Sequence, residues 1–301
     1  MTITNTHRAL LLMFASAMFF GLMAFSAKLA TARLTGAQVA MIRFAVGLLP
    51  PLLIARYRRS AMTFDRFDLL LYRGFFGGMA VLFYFVAIEH IHVGVATLLN
   101  YTAPVFAGIF SILFIGERLS AKVLIPMPVA LAGVFLVVSA HARPEDVLGF
   151  GRWELIAVAS AICSGAAVTA MRAARRGENS WAVYTTFCLI GMLTCMPLGI
   201  VTWKTPMKEE WFALAATSLL AIGAQLLLTF SLRWVDAMTV GVISQVAVLV
   251  SLALGAVFLN ETIGVKTAIG ALLTIGGVVG VVYVTSLSKR VVAADEIAPE
   301  A

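Results

Sequence analysis

The sequence predicts an all-α polytopic membrane protein with ten transmembrane helices, arranged as two inverted five-helix repeats. Composition, ten apolar segments and an internal repeat predict this fold class. Of the 301 residues, 61% are hydrophobic and only 12% are charged, and the mean hydropathy is +0.98. The charged and polar side chains are too few to cover the surface of a soluble fold of this length. The chain therefore belongs in a bilayer.

Ten apolar segments are each about 20 residues long, enough for a helix to cross roughly 30 Å of hydrocarbon. They span residues 9–31, 36–55, 67–88, 93–115, 121–140, 153–171, 181–202, 211–232, 237–259 and 264–286. Gly and Pro recur in them without the alternation of a transmembrane barrel, which predicts helices. The first segment has no small-residue cleavage site behind it, so we expect a retained helix and not a signal peptide.

Basic residues alternate between loops in a way that predicts the topology. With the N-terminus inside, most Lys and Arg residues fall on the inner face, and the outer face collects only Arg33, Arg143, Arg152, Lys204, Lys208 and Lys266. The positive-inside rule then predicts an inner (plasma) membrane protein with both termini cytoplasmic and residues 289–301 as a cytoplasmic tail. The net charge of +7 therefore reflects topology, and no nucleic-acid partner is expected.

Sliding the sequence on itself reveals a repeat at a shift of 144 residues. Polar and small residues coincide in this register, as in the pairs Ser16 with Ser160, Gly21 with Gly165, Gly47 with Gly191 and Glu117 with Glu261. The chain is thus predicted to contain a first repeat at 1–143 and a second at 144–288. Because each repeat has five segments, an odd number, the second is expected to be inverted, which is typical of secondary transporters.

Glu117 and Glu261 each lie just past the predicted C-terminus of a helix, where the dipole disfavours a carboxylate. We therefore expect each acid to have a partner. The candidates are a basic side chain such as Arg118 or Lys266, or the N-terminus of a helix across the loop. A solvated turn is the alternative, since exposed ion pairs contribute little stability.

The fourth and ninth segments each carry small and polar residues on one side, and each places an amide roughly 10 Å into the bilayer at about 1.5 Å per residue. A carboxamide is costly to leave unpaired in hydrocarbon, so Asn100 and Gln245 need an interhelical partner or a wet cavity. Pro104 removes a backbone hydrogen bond, which predicts a kink or hinge, with Gly108 one turn later. The predicted substrate-binding residues are Tyr84, Asn100, Tyr101, Gln225, Ser244 and Gln245. Close helix packing is the alternative role for the small residues.

Few charged residues lie within the segments. Lys28 is near the outer end of the first, Arg43 and Arg73 lie deeper in the second and third, and Glu89 is near the outer end of the third. Intramembrane charges predict a functional or pairing role. Lys28 could instead extend to the interface, the arginines could hold helices together, and Glu89 is either a gating residue or part of a hydrated helix end.

No constellation for catalysis, metal binding or a cofactor can be assembled at depth. All four histidines, at 7, 90, 92 and 141, lie at or beyond segment ends, and no phosphate-binding loop is present. We therefore expect neither an enzyme nor a cofactor. The three cysteines, Cys163, Cys188 and Cys195, lack a metal-binding or redox spacing and are expected to pack.

Three segments carry a family resemblance: QVAMIRFAVGLLP with Arg43, TAPVFAGIFSILFIGERL in the fourth segment, and SQVAVLVSLALGAVFLNETI in the ninth. In this order the chain resembles the drug/metabolite transporter superfamily in its EamA-domain form. The resemblance implies a ten-helix carrier that exports small metabolites. Val248 stands where the family pattern has Pro and Asn260 where it has Gly, which leaves a symmetric kink in the ninth segment without its usual cause.

The motif NYTAP and the aromatic first and third segments resemble the YddG group of aromatic amino-acid exporters. The leading hypothesis is therefore a secondary transporter that exports small metabolites, in the first place aromatic amino acids, by alternating access between the repeats. The alternatives are another small-solute carrier or facilitator of the superfamily and, more distantly, a channel or a non-transport membrane protein. Its expected partners are the lipid bilayer and a small-molecule substrate. Proton coupling and oligomeric state stay open at this level.

Overall fold

The computed structural model describes residues 3–57, 67–115, 125–140, 151–174, 180–231 and 237–295, and these residues form helices without a strand among them. The helices are α1 Ile3–Ala30, α2 Gly36–Gly47, α3 Leu49–Tyr57, α4 Phe67–His90, α5 Val93–Asn100, α6 Ala103–Ile115, α7 Pro126–Ala140, α8 Arg152–Ala174, α9 Ser180–Val201, α10 Lys208–Ser231, α11 Ala237–Ser244, α12 Val246–Phe258 and α13 Val265–Asp295. The predicted all-α class is confirmed.

Within the described ranges, nine stretches are long and apolar enough to cross a membrane, and they coincide with nine of the ten predicted segments. The remaining one, the fifth, is represented by α7, an apolar helix of 15 residues. The start of that segment, residues 121–124, lies outside the described residues. Helix α7 packs along α13, where Gly133 meets Thr274 and Gly277 meets Ala130.

Two hydrogen bonds fix how the long helices pair. Ser16 Oγ on α1 donates to the carbonyl of Ala224 on α10 (2.7 Å), and Ser160 Oγ on α8 donates to the carbonyl of Ala80 on α4 (2.8 Å). Contacts farther along show antiparallel pairing, because Ser231 reaches Met13 and the rings of His90 and Trp153 stack. The helices α1 and α10, and likewise α4 and α8, therefore run in opposite directions.

Glycines permit the closest helix approaches, which is their common use in membranes. On α4, a Cβ added at Gly74 would overlap Ile190, and one at Gly78 would lie 2.7 Å from Cα of Gly191 on α9. Gly191 in turn faces the ring of Phe44 on α2, 2.5 Å from an added Cβ. The three helices α2, α4 and α9 thus form one tightly packed group.

The connections that the structure describes meet at one end of the bundle. Lys28 at the end of α1 reaches the carbonyl of Ile91 (2.7 Å), and Gln38 Nε2 donates to the carbonyl of Lys204 (2.7 Å). Thr35 forms the N-cap of α2, where its hydroxyl accepts from the backbone N–H of Gln38. This end corresponds to the outer face in the predicted topology.

The contact between α7 and α13 leads to a stability prediction with a built-in control. A Cβ on Gly277 would overlap the backbone of Ala130, whereas nothing lies within 4 Å of a Cβ on Gly276. We expect Gly277→Ala to cost about 1–3 kcal/mol by overpacking. Gly276→Ala makes the same change in helix propensity, so its cost should stay within about 0.5 kcal/mol.

Thermal unfolding of both variants, purified in detergent, measures the difference. Equal melting temperatures for Gly276→Ala and Gly277→Ala would show that α7 and α13 are not packed as closely as this structure has them.

Candidate functional site

The fourth predicted segment is two helices, because α5 ends at Asn100 and α6 begins at Ala103. At the break, i→i−3 hydrogen bonds appear: Thr102 N donates to Leu99 O (3.2 Å) and Val105 N to Thr102 O (2.9 Å). Pro104, the second residue of α6, has no N–H to donate to the Asn100 carbonyl. The interruption thus lies just before Pro104, where the sequence predicts a kink or hinge, and Gly108 lies buried one turn further along α6.

The ninth predicted segment breaks at the matching position. Helix α11 ends at Ser244 and α12 begins at Val246, with Gln245 between them. Gln245 is related to Tyr101 by the repeat shift of 144. Here too an i→i−3 bond forms, from Gln245 N to Val242 O (3.1 Å). The sequence offers no cause for a kink here, because Val248 stands where the family pattern has Pro. Gln245 keeps α-helical backbone angles (φ −63°, ψ −17°), so the interruption is a local change in the hydrogen-bond pattern.

A buried hydroxyl pair lies beside the first break. The hydroxyls of Tyr84 on α4 and Thr97 on α5 are 2.8 Å apart, and Thr97 Oγ1 also donates to the carbonyl of Val93 (2.7 Å). The Tyr101 phenol is close enough to Tyr84 for the two to interact electrostatically. The structure therefore brings Tyr84 and Tyr101, both predicted substrate residues, into one group.

Asn100 points to a different helix from Tyr84. Its Nδ2 donates a hydrogen bond to Ser160 Oγ, and Ser160 Oγ donates one to the carbonyl of Ala80. This amide therefore has an interhelical partner, one of the two possibilities that the sequence predicts for it. The contact fastens the end of α5 to α8 and α4 beside the break.

The remaining predicted substrate residues differ in how their polar atoms are used. Ser244 Oγ donates to the carbonyl of Val240 (2.6 Å) within α11. Gln225 is half-buried on α10. Gln245 is 94% buried, since only 6% of it is exposed, and its Nε2 finds no acceptor in the part of the chain that the structure describes. Within the described residues, Gln245 Nε2 is therefore a buried donor without an acceptor.

Lys28 donates hydrogen bonds to the end of a neighbouring helix. Its Nζ donates to the carbonyls of Ile88 and Ile91, each at 2.7 Å, at the C-terminal end of α4. Lysines commonly interact with the last carbonyls of a helix, where the dipole is negative. Lys28 thus joins the ends of α1 and α4, a contact that its position in the sequence did not reveal.

Glu89 accepts a hydrogen bond at the beginning of α2. Its Oε2 is 2.7 Å from the backbone N of Gly36, the first residue of that helix. A side chain at position 36 would collide with the backbone of Phe85, so glycine is needed for α2 to approach α4 this closely. The adjacent His90 stacks on Trp153, with ring centroids 3.5 Å apart.

Glu261 has the helix N-terminus that the sequence predicts as one of its possible partners. Both carboxylate oxygens lie 3.0 Å from the backbone N of Val93, the first residue of α5. Asn260 precedes it with φ +52°, a left-handed conformation that asparagine tolerates and that follows the end of α12. This turn directs Glu261 across to α5. Glu117, its repeat partner, lies outside the described residues.

The sequence does not predict a further polar contact at this end of the bundle. Arg33 binds Glu210 through two hydrogen bonds, Nε to Oε1 (2.7 Å) and Nη2 to Oε2 (2.6 Å). This hydrogen bonding raises the pKa of Arg33 above its ordinary value, so the pair stays charged. Lys204 Nζ also donates to the carbonyl of Arg33 (2.8 Å). Arg33 and Glu210 are 177 positions apart in the chain, so local sequence patterns do not reveal the pair.

Arg43 on α2 and Arg73 on α4 lie among the rings of the α2, α4 and α9 group. The Arg43 guanidinium carbon is 5.1 Å from the Phe44 ring centroid, and that of Arg73 is 4.3 Å from Phe187. Tyr84 is close enough to Arg43 to interact with it. Arg43 therefore lies near Tyr84, one of the two tyrosines beside the first break.

The described ranges hold no cluster of three or more His, Cys, Asp or Glu side chains suited to a metal ion. What they do present are two helix breaks, buried phenols, a free amide and two arginines. Such an arrangement can bind a small molecule, since discontinuous helices place backbone and side-chain polar groups at membrane depth.

Comparison with protein families agrees with this geometry. The model of the EamA-like transporter family matches the chain twice, at residues 7–139 and 151–283. The chain belongs to this family. The two matches are offset by 144 residues, the same shift that the sequence repeat predicts, and the family and its apolar helices make the chain a multi-pass membrane transporter.

Relatives of known name are also transporters. The pseudopaline exporter CntI of Pseudomonas aeruginosa is 27% identical over 257 residues, covering 85% of this chain and 89% of CntI. An uncharacterised transporter of Helicobacter pylori is 25% identical over 226 residues, covering 72% of this chain and 74% of that protein. A solved crystal structure shares the fold with a TM-score of 0.63 at 22% identity, covering 94% of this chain and 98% of its own.

The contact between Glu261 and α5 leads to a second stability prediction. Glu261→Gln removes the negative charge from the N-terminus of α5 and should cost about 1 kcal/mol of stability. Glu209→Gln is the control because Glu209 is an exposed acid in the first turn of α10. Thermal unfolding in lipid nanodiscs should show a clearly larger loss for Glu261→Gln. Equal losses would contradict the assignment of Glu261 as the cap of α5.

Proposed function

We propose that the protein is a secondary transporter that exports a small, partly apolar metabolite, with aromatic amino acids as the leading candidates. The cargo binds between the two repeats, next to the helix breaks. Tyr84 and Tyr101 supply aromatic walls and hydroxyls, and amides and a hydroxyl supply hydrogen bonds to the polar end of the cargo. The residues of this proposed site are Tyr84, Asn100, Tyr101, Gln225, Ser244 and Gln245.

The observation that carries this proposal is the pair of breaks at Tyr101 and Gln245, one in each repeat. Interrupted helices at membrane depth are tolerated where protein buries them or where they line a cavity, and transporters place their sites at such interruptions. The buried Nε2 of Gln245, which has no acceptor among the described residues, supports the assignment, because an unpaired amide N–H in hydrocarbon is costly unless a ligand or water binds it.

Helix directions support an inverted repeat. The C-terminal ends of α1 and α4 meet at Lys28 and Ile88, which indicates that these two helices run the same way. Because α4 is antiparallel to α8, the helix equivalent to α1 in the second repeat runs opposite to α1. The hydrogen bonds Ser16 to Ala224 and Ser160 to Ala80 also exchange under the 144-residue shift, as a two-fold relation requires.

From this arrangement we infer ten spans, a first repeat at 1–143, an inverted second at 144–288 and a tail at 289–301. An inverted pair can exchange conformations, so that one state opens outward and its counterpart opens inward. The proposed cycle is therefore alternating access in the inner membrane, with both termini cytoplasmic.

A carrier for another small solute is the second candidate function. It is favoured by the similarity to CntI, whose name describes export of pseudopaline. That similarity supports export as the direction of transport, and it extends the range of candidate cargoes beyond amino acids.

Transport in proteoliposomes tests the proposed site. We expect Tyr101→Ala and Gln245→Ala to lower counterflow of radiolabelled phenylalanine about tenfold, the effect of losing roughly 1.4 kcal/mol of cargo binding. Tyr283→Ala is the control, because this tyrosine lies exposed on α13. Melting temperatures near that of the unsubstituted protein would show that folding is intact. Unchanged counterflow in both site variants would contradict the site.

Labelling from outside intact cells tests the inverted topology. In a background without Cys163, Cys188 and Cys195, single cysteines replace Gly264 and Glu117. Gly264 is exposed with nothing within 4 Å of an added Cβ, so the thiol is accessible there. A membrane-impermeant maleimide should modify position 264 in intact cells and position 117 only after permeabilisation. Modification of both positions from the same side would overturn the inverted repeat.

A further inference from the structure

Two arginines of the α2, α4 and α9 group have buried guanidinium nitrogens, and neither has a counterion among the described residues. Arg43 is only 8% exposed, and neither its Nε nor its Nη1 has an acceptor within the described residues. Arg73 Nε is likewise buried and without an acceptor there. Buried polar groups are normally hydrogen-bonded, and buried charges are normally paired, so three unsatisfied guanidinium nitrogens in one group require an explanation.

The surroundings do not neutralise these charges. Apart from Arg73, the ionisable groups close enough to act on Arg43 are phenols and thiols: Tyr84, Tyr184, Cys188 and Cys195. These are uncharged near pH 7. The groups that act on Arg73 are Cys188 and Arg43. The two arginines are thus close enough to affect each other, and no carboxylate of the described ranges is among the groups that act on them.

Packing alone does not account for the pair. The guanidinium groups lie over the rings of Phe44, Phe85 and Phe187, at 5.1, 5.9 and 4.3 Å. Contacts between cations and rings offset only part of the cost of taking a charge out of water. Gly77 on α4 leaves room for the guanidinium of Arg73, since a Cβ there would overlap Nη1. The fold therefore accommodates the charge specifically and still leaves it unpaired.

We propose that Arg43 and Arg73 form an anion-binding site that takes the carboxylate of the transported molecule. The guanidinium fork matches a carboxylate, which accepts two parallel hydrogen bonds from it. The position is consistent with this role, because Arg43 adjoins Tyr84, and Tyr84 binds Thr97 one turn before the break at Tyr101. The inference rests on the proposed transport function and narrows its cargo to molecules that carry a carboxylate.

A binding experiment tests the anion site independently of transport. Thermal unfolding of the purified protein is followed with a panel of monocarboxylates and their matched amides, among them phenylalanine against phenylalaninamide and 3-phenylpropionate against 3-phenylpropanamide. At least one acid should raise the melting temperature while its amide does not. The same melting temperatures are measured with chloride and with phosphate, to test inorganic anions. They are also measured in nanodiscs with and without phosphatidylglycerol, to test an anionic lipid.

The variants are Arg43→Met and Arg73→Met, with Arg152→Gln as the control. Arg152 is exposed at the start of α8. Removing either buried arginine should weaken carboxylate binding roughly 10- to 100-fold, as expected for the loss of one or two charge-assisted hydrogen bonds. Without ligand, Arg43→Met should melt at the same or a higher temperature, because it removes an unpaired buried charge. A purely structural arginine would give a lower melting temperature.

Four results would overturn the proposal. In the first, no acid of the panel stabilises the protein, and in the second, acids and amides stabilise it equally. In the third, both methionine variants bind the carboxylate as well as the unsubstituted protein does. In the fourth, only an inorganic anion or phosphatidylglycerol occupies the site.

Counterflow of the stabilising acid in proteoliposomes separates this inference from the transport proposal. Binding without counterflow would contradict transport and leave the anion site standing, whereas counterflow that treats acid and amide alike would contradict the anion site alone.

Discussion

Hydrocarbon offers no hydrogen-bond partners, so each polar group at depth must be satisfied by another part of the protein. Most of the described groups obey this constraint through contacts between helices. Ser16 binds the carbonyl of Ala224, Asn100 binds Ser160, and the Tyr84 hydroxyl lies beside Thr97. These contacts fix which helices pair and in which direction. Among the described residues, buried side-chain nitrogens of Arg43, Arg73 and Gln245 have no acceptor, and these are the positions where a ligand has most to offer.

The described connections at one end of the bundle are held by charge and by helix termini. Glu261 in the second half caps α5 in the first, and Arg33 in the first half binds Glu210 in the second. Lys28 and Glu89 lock neighbouring helix ends within the first half. In an alternating-access cycle, the contacts that join the halves have to break before this end can open. In the present structure, contacts between the two halves thus hold this end together.

Whether the sequence predicts a feature of this structure depends on how far apart in the chain the interacting residues lie. Local composition and chemistry predict the segment limits, the 144-residue repeat and the break near Pro104. They also predict a helix N-terminus as one possible partner of Glu261. The partners of Lys28 and Arg33 could not be predicted, because they lie 60 and 177 residues away. The interruption at Gln245 has no proline beside it, so local sequence does not predict it.

A site with uncompensated positive charge would also couple loading to conformational change. While no anion is bound, buried guanidinium nitrogens of Arg43 and Arg73 have no acceptor among the described residues, which raises the energy of the empty state. A bound carboxylate lowers that energy, and it can favour one conformation over another only if its contacts differ between the two. Because α2, α4 and α9 surround the arginines, and α4 also binds the broken α5 through Tyr84, any shift of the charge pair reaches the break directly. The anion site and the hinge would then act as one unit, so that cargo charge, and not cargo shape alone, selects what is carried.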